Sequence, residues 1–345
     1  HYTHHPADNP SAGPSMANQI KILPSGHEFA SEGHSTLLEA GLHAGLAFDY
    51  GCSNGNCGKC IAKVVSGEVE KVRHHDYFLD EAAHDEDQVL MCCNTALTDV
   101  TLQAPEALST DEIPQQQITA KVRALETVND NVALLHLKTP RSNRLRFLAG
   151  QHVQLGGGNM PVAVQPIASC PCDDMNLHFQ IPAVPGDDFS DYVFNRLRKG
   201  NAVEIDGPGG DFVFDESSPR APVFIAWHTG FGPIRSLIEH AMALETAESM
   251  HLVWITETPE DRYQDNLCRS WQDAFDDFYY MPVDYDEGDE GDEGLNAELI
   301  SEHLRIEAAD LPDYDFYVAG NEALLNACDQ ILPPTQTKTS GVHGG

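Results

Sequence analysis

The sequence predicts a multidomain α+β and α/β protein in three parts: a small β-rich unit holding a cysteine loop, an antiparallel β-barrel, and a parallel α/β domain. Three observations carry that reading. Cysteines crowd between Cys52 and Cys93, short alternating apolar segments separated by Gly and Pro begin at Ile118, and from Val223 onward continuous apolar runs alternate with helical periodicity. At 345 residues, with 41% apolar and 8% aromatic content, the chain can build two or three ordinary cores, which excludes a wholly disordered or fibrous protein. No apolar run reaches the roughly 18 to 20 residues of a membrane span, and the longest, such as Pro222–Trp227, read as core strands. Twenty Lys and Arg against 54 Asp and Glu leave a net charge of −34. Such a field repels phosphate backbones and anionic lipid and attracts basic partners, so nucleic acid is a poor ligand. The same balance fits a salt-tolerant source.

Taken in order, residues 1–16 have no periodicity and read as a flexible leader or tag, with His1, His4 and His5 solvated and Met16 a candidate start. Strand candidates Ile20–Leu23 and Glu28–Ala30 flank Pro24-Ser-Gly. Ser35–Gly45 reads as a helix, because Thr36 and Glu39 have the capping-box spacing and Leu38 and Leu42 share a face. A turn-rich loop, Gly51–Cys60, is followed by a strand pair, Ile61–Val65 and Glu68–Val72, around Ser66-Gly67. The first unit thus spans residues 17–106, and 107–117, dominated by Pro, Ser, Thr, Asp and Glu, reads as a linker. Ile118–Leu125, Val132–Leu137, Gln151–Leu155, Leu177–Ile181 and Ala202–Ile205, with one helical insert at Phe189–Lys199, read as a barrel over residues 118–215. Over residues 220–335, Val223–Trp227, Leu252–Ile255 and Phe316–Ala319 alternate with helical Pro233–Leu244, Asn296–Leu304 and Glu322–Leu332, a βαβ pattern. The acidic run Asp284–Gly294 reads as a solvated loop, not a calcium site.

Nine cysteines, an odd count with five clustered and no signal-like leader, point to metal binding in a reducing, cytoplasmic compartment. Cys52-Ser-Asn-Gly-Asn-Cys57-Gly-Lys-Cys60 is C-x4-C-x2-C, and Cys92 after Val89-Leu-Met is a further candidate. That is plant-type [2Fe-2S] spacing: Gly51, Gly55 and Gly58 permit tight turns, and loop N–H groups can face the sulfurs. Zinc is the alternative, but only one of its usual two C-x2-C knuckles is present. Together Leu37–Leu46, Tyr50–Cys60 and Val89–Cys92 resemble the plant-type ferredoxin domain over residues 17–106. The resemblance implies a β-grasp fold, Cys52, Cys57, Cys60 and Cys92 as cluster ligands, and a potential near roughly −400 mV. It leaves Cys93 as a buried or idle thiol.

Further on, Phe147–Leu155, Phe189–Val193, Gly200–Phe212, Thr229–Pro233 and Asp313–Gly320, in this order, resemble the ferredoxin–NADP reductase superfamily over residues 118–333. Fused to a ferredoxin, this resembles the reductase components of bacterial oxygenases, in which NAD(P)H, FAD and [2Fe-2S] form an electron chain. It implies a flavin-domain-like barrel, a nicotinamide-domain-like α/β domain, and Ser190, Thr229 and Gly230 at cofactor-binding positions. The departures are specific. The family's flavin signature Arg-x-Tyr-Ser has Ala163, Gln165 and Pro166 at its three named positions, a loss of about 3 to 5 kcal/mol of contacts. Asp187 and Asp188 follow Gly186 where an anion would sit, and Gly-Gly-Thr-Gly-x-x-Pro has become Trp227-His228-Thr229-Gly230-Phe231-Gly232-Pro233. Cys-Gly-Pro has become Ala319-Gly320-Asn321, and the aromatic that commonly covers the flavin is not found before Gly345.

These departures put FAD and NAD(P) in doubt. They favour one-electron transfer through the cluster, with a flavin-less body as docking scaffold and no catalytic residue of its own. The alternative is a FAD-dependent NAD(P)H reductase component of a bacterial oxygenase, and the third reading is a structural or regulatory subunit. The expected partner is a redox protein with a basic docking surface, an oxygenase or a larger electron-transfer complex. Trp227 and His228 read as packing residues, and Cys170-Pro-Cys172 as two strand side chains packed on one face.

Overall fold

The computed structural model describes residues 17–33, 35–75, 87–245, 247–285, 297–304 and 306–342. The leader, and all of the acidic run beyond Asp284 and Tyr285, lie outside the described residues. The chain divides into two compact units, residues 1–42 with 48–106, and 43–47 with 107–345.

The first unit contains strands β1 (Asn18–Leu23) and β2 (Glu28–Ser31), helix α1 (Leu37–His43), and strands β3 (Ile61–Ser66), β4 (Val69–Lys71), β5 (Gln88–Leu90), β6 (Asn94–Ala96) and β7 (Val100–Gln103). Five strands form a mixed sheet in the order β2-β1-β7-β3-β5, with β1 parallel to β7. Ile20, Ile22 and Leu102 turn inward beneath Leu37, Leu38 and Leu42 of α1. Helix α1 starts as its capping box predicts: Glu39 N donates to Thr36 Oγ1, and Thr36 N to the Glu39 carboxylate, each at 3.2 Å. Glycine at 41 is a packing requirement, since a Cβ there would strike the Phe48 ring.

The expected hairpin around Ser66-Gly67 does not form. Strand β3 pairs with β5 and β7, while β4 leaves the sheet to pair with β6. Gly67, at φ +91°, brings its backbone against Asp99 O, and Glu68 N donates to Thr98 Oγ1, so the chain is turned toward the 98–100 segment instead of back on itself.

In the second unit β8 (Gln116–Val128), β9 (Val132–Lys138), β10 (His152–Gly157), β11 (Met160–Pro166), β12 (Asn176–Pro182) and β13 (Ala202–Gly209) form an antiparallel sheet ordered β11-β10-β13-β8-β9-β12, with α2 (Asp188–Asn195) after β12. The expected linker therefore ends early, because Gln116 and Gln117 already belong to β8. The barrel is open between β11 and β12. Alternating inward residues, among them Ile118, Ala120, Val122, Val203 and Ile205, fill it together with Phe189, Val193 and Leu197.

A parallel sheet follows: β14 (Ala221–Trp227), α3 (Phe231–Leu244), β15 (Met250–Thr256), α4 (Asp265–Ala274), β16 (Phe278–Asp284), α5 (Ala297–Leu304), β17 (Tyr314–Gly320), α6 (Glu322–Asp329) and β18 (Thr337–Gly341). Its order is β16-β15-β14-β17-β18. The strands read as continuous apolar runs because both faces are covered. Phe224 and Trp254 pack under α3 and α4, and Ile225, Val253 and Val318 under α5 and α6. Polar bonds join sheet to barrel: Ser236 Oγ donates to Ser169 O at 2.7 Å, and Tyr263 OH to Gln180 Oε1 at 2.7 Å.

Cys170 and Cys172 do not lie in a strand as expected. Pro171 starts a 3₁₀ turn, Pro171–Asp173, and the turn brings the two sulfurs together as a disulfide, with Cα atoms 5.2 Å apart. A strand would have left them side by side without meeting.

Two outcomes follow. Gly67→Ala should destabilise the first unit by about 1 to 3 kcal/mol, read as an earlier loss of secondary structure on heating, because a left-handed backbone and a carbonyl oppose the new methyl. His178, on β12 with its ring 4.6 Å from that of His136, is pushed down to about 4 by burial, then by Arg235 and His136. The unfolded chain takes up this proton first, so stability falls as pH drops from about 6.5 toward about 4, and His178→Gln should flatten that part of the stability profile.

Candidate functional site

The cysteine loop is built from what backbone geometry allows. Ser53, Gly55 and Gly58 all lie at positive φ, so the chain curls around Cys52 and its amides turn inward. Asn56 N and Cys57 N donate to Cys52 Sγ at 3.2 and 3.3 Å, and Cys52 N to Cys57 Sγ at 3.5 Å. Cys60 closes the loop and enters β3, whose pairing sets Ile61 opposite Leu90 of β5. Met91 N then donates to Cys60 O at 2.9 Å, and the short turn Met91–Cys93 delivers Cys92. Cys60 and Cys92 are both buried and share a side-chain hydrogen bond. That bond lowers the Cys60 thiol and raises Cys92 from their ordinary values.

The arrangement is two thiol pairs, Cys52 with Cys57 and Cys60 with Cys92. Among the described residues no group of three or more His, Cys, Asp or Glu is gathered closely enough for a single metal ion. Two thiol pairs offer the two sulfurs per iron that a [2Fe-2S] cluster uses. The loop amides facing sulfur supply the donors such a cluster uses. Cys93, expected to be a buried or idle thiol, is fully buried, with its sulfur 3.6 Å from Cys92 Sγ. A Cβ on Gly55 would come within 2.7 Å of Cys93 Sγ, so this thiol packs against the loop.

In the second unit the structure brings the three expected cofactor positions to two places. Ser190, in the first turn of α2, is buried and fully engaged: its Oγ donates to Pro182 O at 3.1 Å and accepts from Val184 N at 2.9 Å. Asp187 caps that helix, its carboxylate accepting from Ser190 N at 2.7 Å. The half-barrel and α2 supply the frame for a flavin. At the expected contact positions, however, Ala163, Gln165 and Pro166 on β11 offer no cation, ring or hydroxyl, and the Asp187 carboxylate already caps the start of α2, where it would repel an anion.

Thr229 and Gly230 lie at the carboxyl edge of the parallel sheet, between β14 and α3. The strand order places β14 beside β17, the switch point at which open α/β sheets bind ligands. Gly230 lets this turn pack backbone to backbone on Ala319, and Asn321, after β17, caps α6 through Leu324 N at 2.9 Å. His228 and Trp227 are buried as expected of packing residues. Yet His228 Nδ1 and Trp227 Nε1 have no hydrogen-bond partner among the described residues. Two orphaned polar atoms at a switch point fit a dinucleotide site.

Comparison with known proteins gives the same three parts. Residues 20–98 match the 2Fe-2S iron-sulfur cluster binding domain, 119–214 the oxidoreductase FAD-binding domain, and 224–330 the oxidoreductase NAD-binding domain. The chain is 28% identical over 312 residues, 90% of its length and 93% of the relative's, to CDP-6-deoxy-L-threo-D-glycero-4-hexulose-3-dehydrase reductase of Yersinia pseudotuberculosis serotype I (strain IP32953). It is 26% identical over 316 residues to the terephthalate 1,2-dioxygenase reductase component 2 of a Comamonas species, covering 90% of this chain and 92% of that one. Its fold is similar to that of the Amycolatopsis cytochrome P450 reductase GcoB, with a TM-score of 0.58 and 24% identity over 94% of this chain and 98% of that one.

Replacing Cys52, Cys57, Cys60 or Cys92 singly by Ala should abolish or strongly reduce the visible absorption and EPR signal of the cluster, whereas Cys93→Ala should keep both; iron and sulfide analysis at about two of each per chain checks the composition. By domain content the chain joins a 2Fe-2S iron-sulfur cluster binding domain to oxidoreductase FAD-binding and NAD-binding domains, and it is similar along most of its length to reductase components of oxygenase systems.

Proposed function

We propose that the protein is an electron-transfer reductase, drawing electrons from NAD(P)H in its second unit and passing them singly through a [2Fe-2S] cluster held by Cys52, Cys57, Cys60 and Cys92. The observation that supports it is the order of the three matched domains, 20–98, 119–214 and 224–330, across a chain alignable over 90% of its length with named reductases. This corrects the flavin-less first expectation: with FAD-binding and NAD-binding domains both matched, doubt about either cofactor has no support at the level of the domain. FAD, when bound, supplies the step from two-electron to one-electron chemistry. Each unit supplies its own groups: Thr229 and Gly230 line the carboxyl edge of the parallel sheet in the second, and in the first the loop amides at Asn56 and Cys57 donate to Cys52 Sγ.

The partner in this proposal is an oxygenase or another electron-accepting protein with a basic docking surface, met in the cytoplasm. A net charge of −34 would steer the encounter, most strongly at low ionic strength.

One observation favours a second reading, in which the body is a flavin-less docking scaffold and the cluster is reduced by another protein. It is the pairing of the Asp187 cap on α2 with Ala163, Gln165 and Pro166 on β11. Denaturing the purified protein separates the two readings. The reductase reading expects about one flavin per chain in the supernatant, together with NADH or NADPH oxidation by a ferricyanide-type acceptor. A colourless supernatant and no turnover would leave the relay in its place.

A further inference from the structure

Cys170 and Cys172 take no part in the cluster loop, yet the fold joins them in a disulfide across a single intervening residue. As a staple this bond contributes little, because the entropy a cross-link removes from the unfolded chain grows with the length of the loop it closes. The turn is also held without it. Pro171 opens the 3₁₀ turn, where a missing amide costs no hydrogen bond, Asp173 N donates to Cys170 O at 3.2 Å, and Cys170 N donates to the Glu239 carboxylate at 3.2 Å. Once reduced, the two sulfurs would therefore stay near enough to rejoin. Disulfides in a reducing compartment usually serve catalysis or redox sensing and not structure.

The two cysteines differ in a way that gives exchange a direction. Cys170 is 3% exposed, whereas Cys172 is partly exposed, between a partly exposed Pro171 and an exposed Asp173. An attacking thiolate therefore meets Cys172 first. Cys170 Sγ is then the leaving group, and it already accepts a hydrogen bond from Cys172 N at 3.2 Å, a backbone donor that favours its thiolate. The other cysteines of this unit are no rivals: Cys268 and Cys328 are fully buried, and burial raises both thiols, so neither offers a thiolate near neutral pH.

We propose that Cys170 and Cys172 form a dithiol–disulfide exchange site whose substrate is an external dithiol. The first thiolate of the dithiol attacks Cys172 Sγ, the bond between Cys172 and Cys170 breaks, and Cys170 leaves as a thiolate held by the Cys172 amide. The second thiolate of the dithiol then attacks its own bound sulfur, which releases Cys172 and closes the external disulfide. The protein pair gains two electrons, the external pair loses two, and the two protons given up by the dithiol end on Cys170 and Cys172. A monothiol stalls after the first step, because Cys170, held beside Cys172, returns to the mixed disulfide before a second monothiol arrives. The site lies where the barrel meets the parallel sheet: Glu239 of α3 accepts from Cys170 N, and Ser236 Oγ of the same helix donates to Ser169 O at 2.7 Å. It is independent of any flavin or nucleotide.

The full-length protein is treated with dithiothreitol, or with glutathione at equal thiol concentration, then quenched with iodoacetamide, and the peptide holding Cys170 and Cys172 is weighed. Dithiothreitol should open the pair in the folded protein, leaving Cys268 and Cys328 unmodified, and glutathione should open it at least about 10-fold more slowly. After removal of dithiothreitol, glutathione disulfide should close the pair again. In single variants the exposed sulfur should be the reactive one: Cys172 in Cys170→Ser should take up glutathione from its disulfide at least about 10-fold faster than Cys170 in Cys172→Ser. Two free thiols that glutathione disulfide does not join, a bond that dithiothreitol opens only after the protein unfolds, or glutathione acting as fast as dithiothreitol would each overturn the proposal. So would the reverse order of reactivity in the two variants. The measurements on the parent protein stand by themselves if either variant fails to fold.

Discussion

The first unit depends on one close approach, that of the Cys52–Cys60 loop to the Met91–Cys93 turn. The register of β3 on β5, with Ile61 opposite Leu90, brings the end of the loop at Cys60 beside the turn that carries Cys92. Nothing bulky can stand between them: Gly55 has no Cβ because His75 and the buried Cys93 sulfur occupy that space. The backbone then supplies what a negatively charged cluster lacks, amide donors turned toward sulfur from residues at positive φ. The Thr36–Glu39 capping box and the glycine at 41 settle α1 on the sheet that carries this loop.

The second unit has the same economy at a different place. Its parallel sheet is buried on both faces, so chemistry is confined to the carboxyl edge, where Gly230 allows two turns to touch backbone to backbone. Two helix starts show how a single side chain changes what such an edge can hold. At α2 a carboxylate already accepts the first amide, while the turn leading into α3 leaves two buried ring nitrogens without a hydrogen-bond partner among the described residues. An acid at the cap competes with an anionic ligand.

Similarity of domain and identity of contact residue are separate kinds of evidence here. The FAD-binding match spans residues 119–214, a stretch whose barrel core includes Val122, Val153 and Val203. Ala163, Gln165 and Pro166 are three positions within it. The domain evidence therefore governs the family, and the side chains define where this member departs from it.

Much of this was legible in the sequence. The C-x4-C-x2-C spacing, the capping box and the continuous apolar runs of β14, β15 and β17 each act over a few neighbouring residues, so local chemistry was enough to read the cysteine loop, α1 and the parallel sheet. What failed turned on a distant partner in one case and on an unforeseen local turn in the other. Whether β4 returns to β3 or leaves for β6 turns on Gly67 meeting Asp99, and whether Cys170 and Cys172 only pack or join turns on a 3₁₀ turn that period-two reasoning could not see. Cys93 and His228 both looked like ordinary buried residues, since burial is all that composition conveys. Their positions, one against the cluster loop and the other strained and unpaired at a sheet edge, were decided by tertiary structure alone, because a hydrogen bond's absence is a property of every neighbour at once.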